Sequence, residues 1–119
     1  MKLKLLACCL VLASLTGCVA PQPSPTGFYW GNYSKYFYEY KKNPNEQTLK
    51  MYKLTLEKII KESDVNPNRK VPPGIYAELG NIYLQQGNKD EALKWFQQEQ
   101  IHYPESALFM KTMMEKAKS

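Results

Sequence analysis

With 119 residues the chain has room for one small domain, which excludes a two-domain enzyme. Hydrophobic residues at 44% and charged residues at 23% match a globular average, and eight prolines are too few for a disordered or collagen-like chain. Sixteen Lys and Arg against eleven Asp and Glu give a net charge of +5, a total that includes a segment the mature protein is expected to lose.

Met1 to Ala20 reads as a leader: Lys2 and Lys4, an apolar run from Leu5 to Ala13, then small residues. The run, of about nine residues, suits a signal sequence and falls short of the roughly 20 needed to span a bilayer. It ends in Leu15-Thr16-Gly17-Cys18, which resembles the lipobox of bacterial lipoproteins. The resemblance implies a diacylglyceryl thioether on Cys18, cleavage after Gly17 and an acylated new N-terminus. A thiol suits that chemistry because its thiolate is the nucleophile that takes the lipid, and two or three acyl chains together anchor stably where one does not. Cys18 is therefore the lipid-attachment candidate, with the membrane as its first partner.

Cys8 and Cys9 lie in the discarded run, so the mature chain is expected to carry no free thiol, disulfide or thiolate metal site. Loss of Lys2 and Lys4 lowers the charge by two, leaving a mildly basic domain. In the lipoproteins this signal resembles, an aspartate after the cysteine retains the protein in the inner membrane; Val19 stands there instead, which implies the outer membrane, facing the periplasm. Val19 to Thr26 alternates Pro21, Pro23 and Pro25, a polyproline II spacer of roughly 25 Å. The expected organisation is a leader over 1–17, a lipidated tether over 18–27 and a helical domain over 28–119.

Beyond Gly27 the apolar residues recur with helical period. A first helix is predicted from Tyr29 to Lys42. A capping box at Asn43-Pro44-Asn45-Glu46, with Asn43 as N-cap, opens a second, whose inner face steps through Leu49, Tyr52, Leu56, Ile59 and Ser63. Its lysine-rich outer side reads as a solvated face rather than a nucleic-acid site, because the net charge is small. Asp64 to Val71 reads as a loop. The third helix starts at Val71-Pro72-Pro73-Gly74, with proline in its first turn, and buries Ile75, Tyr76, Leu79, Ile82 and Tyr83. Gly87 stops it, and Asn88 with Glu91 caps a fourth carrying Ala92, Leu93 and Phe96. Tyr103-Pro104 ends the fourth, and a fifth over 105–118 presents Leu108, Phe109, Met113 and Ala117 as its apolar side.

Counted from Pro73, the residues Tyr76, Leu79, Gly80, Tyr83, Ala92, Phe96 and Pro104 fall at the characteristic places of the tetratricopeptide repeat, a unit of about 34 residues. Glu99 replaces the alanine usual near the end of the unit, a departure that bears on the packing of the fourth helix. Gly80 and Ala92 are small enough for close helix crossing. One such unit needs neighbours to cover its faces, so the fold expected is an all-α, tetratricopeptide-like stack of helical hairpins with a terminal helix.

The mature sequence as a whole resembles a family of small bacterial lipoproteins, the domain of unknown function 4810. The residues that carry the resemblance are Cys18, Tyr29-Trp30-Gly31 with Tyr33, the run from Val71 to Gly80, and Pro104-Glu105-Ser106. Members are often encoded beside a lipoprotein similar to the curli secretion channel and beside another small lipoprotein. The resemblance implies one part of an outer-membrane assembly, with envelope proteins, other lipoproteins among them, as partners.

His102, the single histidine, has no clustered cysteine or carboxylate partner, so neither a metal nor a catalytic role is expected. Glu91, Glu99, Glu105 and Glu115 read as solvated helix positions, and no glycine-rich phosphate loop is present. No enzyme and no cofactor is predicted. The informative stretch is Phe28 to Tyr40, where aromatics occupy more than one helical face. They serve either core packing or a partner surface. Tyr36 and Tyr40, with Tyr29 and Tyr33, are the core candidates; Trp30 and Phe37 are the better contact candidates, and Tyr33 and Tyr38 join them as candidate partner-binding residues. The function expected is a protein-binding adaptor of an envelope complex; the alternative is a glycan- or peptidoglycan-binding module that uses exposed aromatics.

Overall fold

A computed structural model describes Gly17 and residues 27–119. Cys18, the tether through Thr26 and the leader through Thr16 lie outside the described residues. Within them, five α-helices follow in order: α1 Tyr33–Lys42, α2 Glu46–Val65, α3 Ile75–Gln85, α4 Lys89–His102 and α5 Ala107–Lys118, with a 3₁₀ turn at Pro104–Ser106. Each helix packs on the next, so the fold is an all-α stack.

The first helix starts four residues later than its aromatic pattern suggests. Phe28 forms a parallel bridge to Lys70, in which the Lys70 N–H donates to the Gly27 carbonyl at 2.8 Å and the Tyr29 N–H donates to the Lys70 carbonyl at 2.9 Å. Residues 27–29 are thus spent on the loop between α2 and α3. Gly31, at φ +49°, then turns the chain into α1 through a left-handed conformation that favours glycine.

The cap of α2 also moves, from Asn43 to Asn45. Its side chain accepts from the Thr48 N–H at 2.9 Å while the Thr48 hydroxyl accepts from the Asn45 N–H at 3.1 Å. Helix α2 runs on to Val65, taking in Asp64 and Val65. Val71, Pro72 and Pro73 precede α3 rather than entering its first turn; Val71 and Pro72 are buried, and Gly74 at φ +97° is the N-cap.

At the other end of α3 the expected stop holds. Gly87 is left-handed at φ +79°, its N–H donates to the Leu84 carbonyl, and the Asn88 N–H donates to the Tyr83 carbonyl. Asn88 then caps α4 by accepting from the Glu91 N–H.

Two apolar clusters hold the stack. The first gathers Tyr52, Leu56 and Ile59 of α2 with Ile75, Tyr76, Leu79 and Ile82 of α3, and Tyr29, Tyr33, Phe37 and Tyr40 pack against it. The second gathers Ala92 and Phe96 of α4 with Met110 and Ala117 of α5. Each fully buried large side chain, such as Leu56 or Phe96, contributes about 1.5–3 kcal/mol through burial. Between α3 and α4 the backbones approach so closely that a Cβ on Gly80 would lie 2.7 Å from the Phe96 ring.

Helix α5 is rotated from its expected orientation. Met110 and Ala117 are buried, with Met113 and Met114 beside them, whereas Leu108 and Phe109 stand 80% and 62% exposed. The spacing Met110, Met113, Met114, Ala117 is itself a helical stripe, and three unbranched methionines fill the uneven surface of α4 better than a branched leucine does.

Candidate interaction groove

The odd-numbered helices share one side of the stack. Phe37, Tyr40 and Lys41 of α1 face Glu78, Asn81 and Gln85 of α3 across a hollow of about 180 Å³ floored by Tyr52. Ala77, Glu78 and Asn81 of α3 face Phe109, Met110 and Met113 of α5 across a second hollow of about 240 Å³ floored by Phe96. The two hollows meet at Glu78 and Asn81, which line both. The result is one groove with an aromatic end on α1 and a methionine-rich end on α5.

The aromatic end is built by stacking. Tyr33 lies parallel to Phe37 with ring centroids 5.4 Å apart, Tyr40 lies parallel to Tyr52 at 5.6 Å, and Phe37 meets the Tyr52 ring edge-on at 5.7 Å. The Lys41 ammonium lies 5.5 Å from the Phe37 ring centroid and 5.9 Å from that of Tyr40. Stacked pairs of this kind fix the α1 rings, so the wall keeps its shape without a partner.

Glu78 is fixed from below. Its Oε1 accepts the Tyr33 hydroxyl at 2.8 Å, and its Oε2 accepts the Tyr52 hydroxyl. Burial, reinforced by this carboxylate, pushes the Tyr33 phenol up to about 12 and the Tyr52 phenol further still, so both remain donors at any physiological pH. The carboxylate is thereby held at mid-groove. The Asn81 amide makes no hydrogen bond to another described side chain or backbone group, which leaves its donors and acceptor available to an occupant. The groove can bind through one charged acceptor, one amide and two apolar walls.

The residues singled out from sequence scatter across this site. Tyr33 and Phe37 turn inward, and Phe37 doubles as groove wall. Trp30 is 42% exposed and packs at 5.3 Å on Tyr33 beyond the groove end; Tyr38, 63% exposed, stands apart beneath Lys42. Tyr36 leaves the core group and lines a separate cleft with Tyr29 and Met51. His102 is exposed, and its ring meets that of Tyr76 at a tilt with centroids 4.8 Å apart. Glu99 is not a solvated residue: it is 3% exposed, and its carboxylate accepts the Gly74 and Ala77 N–H groups.

Sequence reading missed Glu78, Asn81 and Met110, and it placed Phe109 in the core. The spacing of Glu78, Asn81 and Gln85, three and four residues apart beside the buried stripe of α3, was the available signal. Among the described residues no cluster of three or more metal-ligating side chains occurs, and no helix is long and apolar enough to cross a membrane.

A family model described as a domain of unknown function (DUF4810) matches residues 28–113, which take in all five helices but the last residues of α5. No curated protein and no solved structure matches the chain.

Proposed function

The chain belongs to the DUF4810 family, and from that premise we propose that it is a lipid-anchored adaptor of the bacterial envelope that holds a protein partner in the groove across α1, α3 and α5. The single observation that carries this reading is the groove itself, with pre-stacked walls, an anchored Glu78, an uncommitted Asn81 and an exposed Phe109 at its rim. Large exposed aromatics beside a groove are what partner surfaces use, because they bury much area with little loss of side-chain entropy.

In this proposal α3 and α4 act as a tetratricopeptide-like unit, with the Gly80, Ala92 and Phe96 contact as its crossing point. Cys18 carries the lipid, and Val19 after it supports the outer membrane with the domain in the periplasm. Anchoring confines both partners to one surface and raises their effective concentration. A lipoprotein similar to the curli secretion channel is the partner suggested by the family resemblance. No catalysis is invoked in this proposal.

Affinity purification of the full chain after mild detergent extraction tests the reading. The expected result is a stoichiometric envelope protein that is lost in Phe109→Glu and kept in Tyr38→Ala; a chain recovered alone defeats it. Metabolic labelling with palmitate should mark the wild type and not Cys18→Ser. The glycan-binding alternative draws support from Trp30 and Tyr38, the aromatics near α1 that remain exposed. Retention on peptidoglycan that Trp30→Ala abolishes would favour it.

A further inference from the structure

A second cleft, of about 430 Å³, opens on another part of the molecule, where the segment around Phe28, the end of α2, the loop at Lys70, Tyr76 of α3 and the end of α4 come together. Its size lies within the roughly 300–1,000 Å³ typical of small-molecule sites. Its lining carries charges of both signs. Asp64, Arg69 and Lys70 all line it; Arg69 is committed to Glu62 at 2.7 Å, whereas the exposed Asp64 and Lys70 form no ion pair with each other or with any other described residue.

Of the uncharged polar groups in the lining, the Tyr103 hydroxyl is spent on the Val71 carbonyl and two others are not committed in full. The Ser63 hydroxyl oxygen is buried without a hydrogen-bond partner. The His102 Nδ1 lies 2.8 Å from the Gln98 carbonyl, a contact that requires the proton on Nδ1 and leaves Nε2 as a free acceptor in the neutral ring. Tyr76, whose ring meets that of His102 at a tilt of 30°, has its phenol pushed up to about 12, first by burial and then by the Asp64 charge. Phe28 and the Tyr76 ring supply apolar walls.

A simple anion would meet Asp64, and a simple cation would meet Lys70. A ligand with both charges satisfies both residues. We propose that this cleft binds a short peptide with both termini free, its ammonium against Asp64, its carboxylate against Lys70, and an apolar side chain against Phe28 and Tyr76. Within this arrangement the peptide N–H groups have His102 Nε2 as an acceptor, and the Ser63 hydroxyl gains the partner it lacks. Partner binding in the α1–α3–α5 groove and peptide binding here use different residues, so either can fail alone.

The test uses the full chain in mild detergent and the dipeptide alanyl-phenylalanine, with its N-acetylated and C-amidated forms as controls. Because the chain has a single histidine, the imidazole NMR signals of His102 report on the cleft without ambiguity. Saturable shifts of those signals are expected with the free dipeptide, and blocking either terminus should weaken binding about tenfold, the loss of one charge-assisted contact. Asp64→Asn should weaken the free dipeptide and leave the N-acetylated form unchanged; Lys70→Gln should do the same relative to the C-amidated form. Shifts that never saturate, equal binding of the three forms, or a variant that weakens all forms alike would overturn the proposal.

Discussion

The Glu99 carboxylate on α4 accepts the Gly74 N–H at 2.7 Å and the Ala77 N–H at 3.2 Å, so a side chain of one helix caps the first turn of another. Gly74 has no side chain with which to do this itself, and a negative charge there meets the positive end of the α3 dipole. Replacing the carboxylate strands two part-buried N–H groups, while relieving the desolvation of one charge. Glu99→Ala is expected to lower unfolding free energy by about 1–3 kcal/mol in urea denaturation followed by circular dichroism. Stability equal to the wild type would mean that the cap contributes nothing net.

The same carboxylate sets a pH dependence. Its pKa is raised, mainly because burial disfavours the charge, with the N–H groups of Gly74, Ala77 and Tyr76 pulling the other way. A folded-state pKa above the unfolded value means that the folded protein binds the proton more tightly. This contribution is fully present below the ordinary carboxylate value and is lost as pH rises through the raised one. Unfolding free energies measured over mildly acidic pH should therefore carry a falling component in the wild type that Glu99→Gln lacks. Parallel profiles for the two proteins would contradict the assignment.

Gly80 faces Phe96 where α3 crosses α4. An added Cβ would lie 2.7 Å from the Phe96 ring and 3.2 Å from the Ala92 carbonyl oxygen, and Phe96 is fully buried, so the ring has little room to withdraw. Gly80→Ala gains helix propensity but forces the pair apart, for an expected net loss of about 1–3 kcal/mol. Adding Phe96→Leu to Gly80→Ala should cost less than the sum of the two single changes, a coupling that a double-mutant cycle of melting curves reads directly.

Local signals explain which parts of this architecture were legible from sequence. The stripe of Tyr76, Leu79 and Ile82, the Gly87-Asn88 punctuation and the small residues Gly80 and Ala92 depend on neighbours in sequence, and the structure bears out the buried stripe, the turn and the close crossing. The start of α1 depends on pairing between Phe28 and Lys70, distant in sequence, so helical period alone ran on too far. Glu99 looked solvated because it is charged, although its spacing from Ala92 and Phe96 already put it on the inner face of α4. In α5 the apolar residues cover more than one face, and only contact with Ala92 and Phe96 selects Met110 over Phe109. The groove was invisible because its walls come from three helices whose relative placement no periodicity encodes.

Alkaline conditions should unfold the protein through its buried phenols. Tyr33 and Tyr76 are raised to about 12 and Tyr52 further, each chiefly by burial, while unfolded tyrosines ionise near 10. The stability these groups contribute is complete below pH 10 and drains away as pH rises through the folded values. Tyrosinate absorbance for these three should thus emerge together with loss of helical circular dichroism. Tyr52→Phe removes one such group and shifts the alkaline midpoint upward relative to its own stability at neutral pH; full ionisation with helices intact would refute the account.

Neighbouring residues on α5 should separate folding from binding. Phe109 is largely exposed at the groove rim, so Phe109→Glu should change unfolding free energy by no more than about 0.5 kcal/mol, as surface substitutions generally do. Met110, one residue on, is fully buried between α4 and α5, and Met110→Ala should cost about 2–5 kcal/mol through the cavity left behind. On the proposed function the effects on partner recovery run in the opposite order: Phe109→Glu abolishes capture by a fully folded domain, whereas Met110→Ala, which trims a buried part of the same wall, weakens capture less as long as the domain is kept cold enough to stay folded. Paired melting curves and detergent pull-downs on the two variants make the comparison. Capture undiminished in Phe109→Glu would remove the α5 end from the interaction surface.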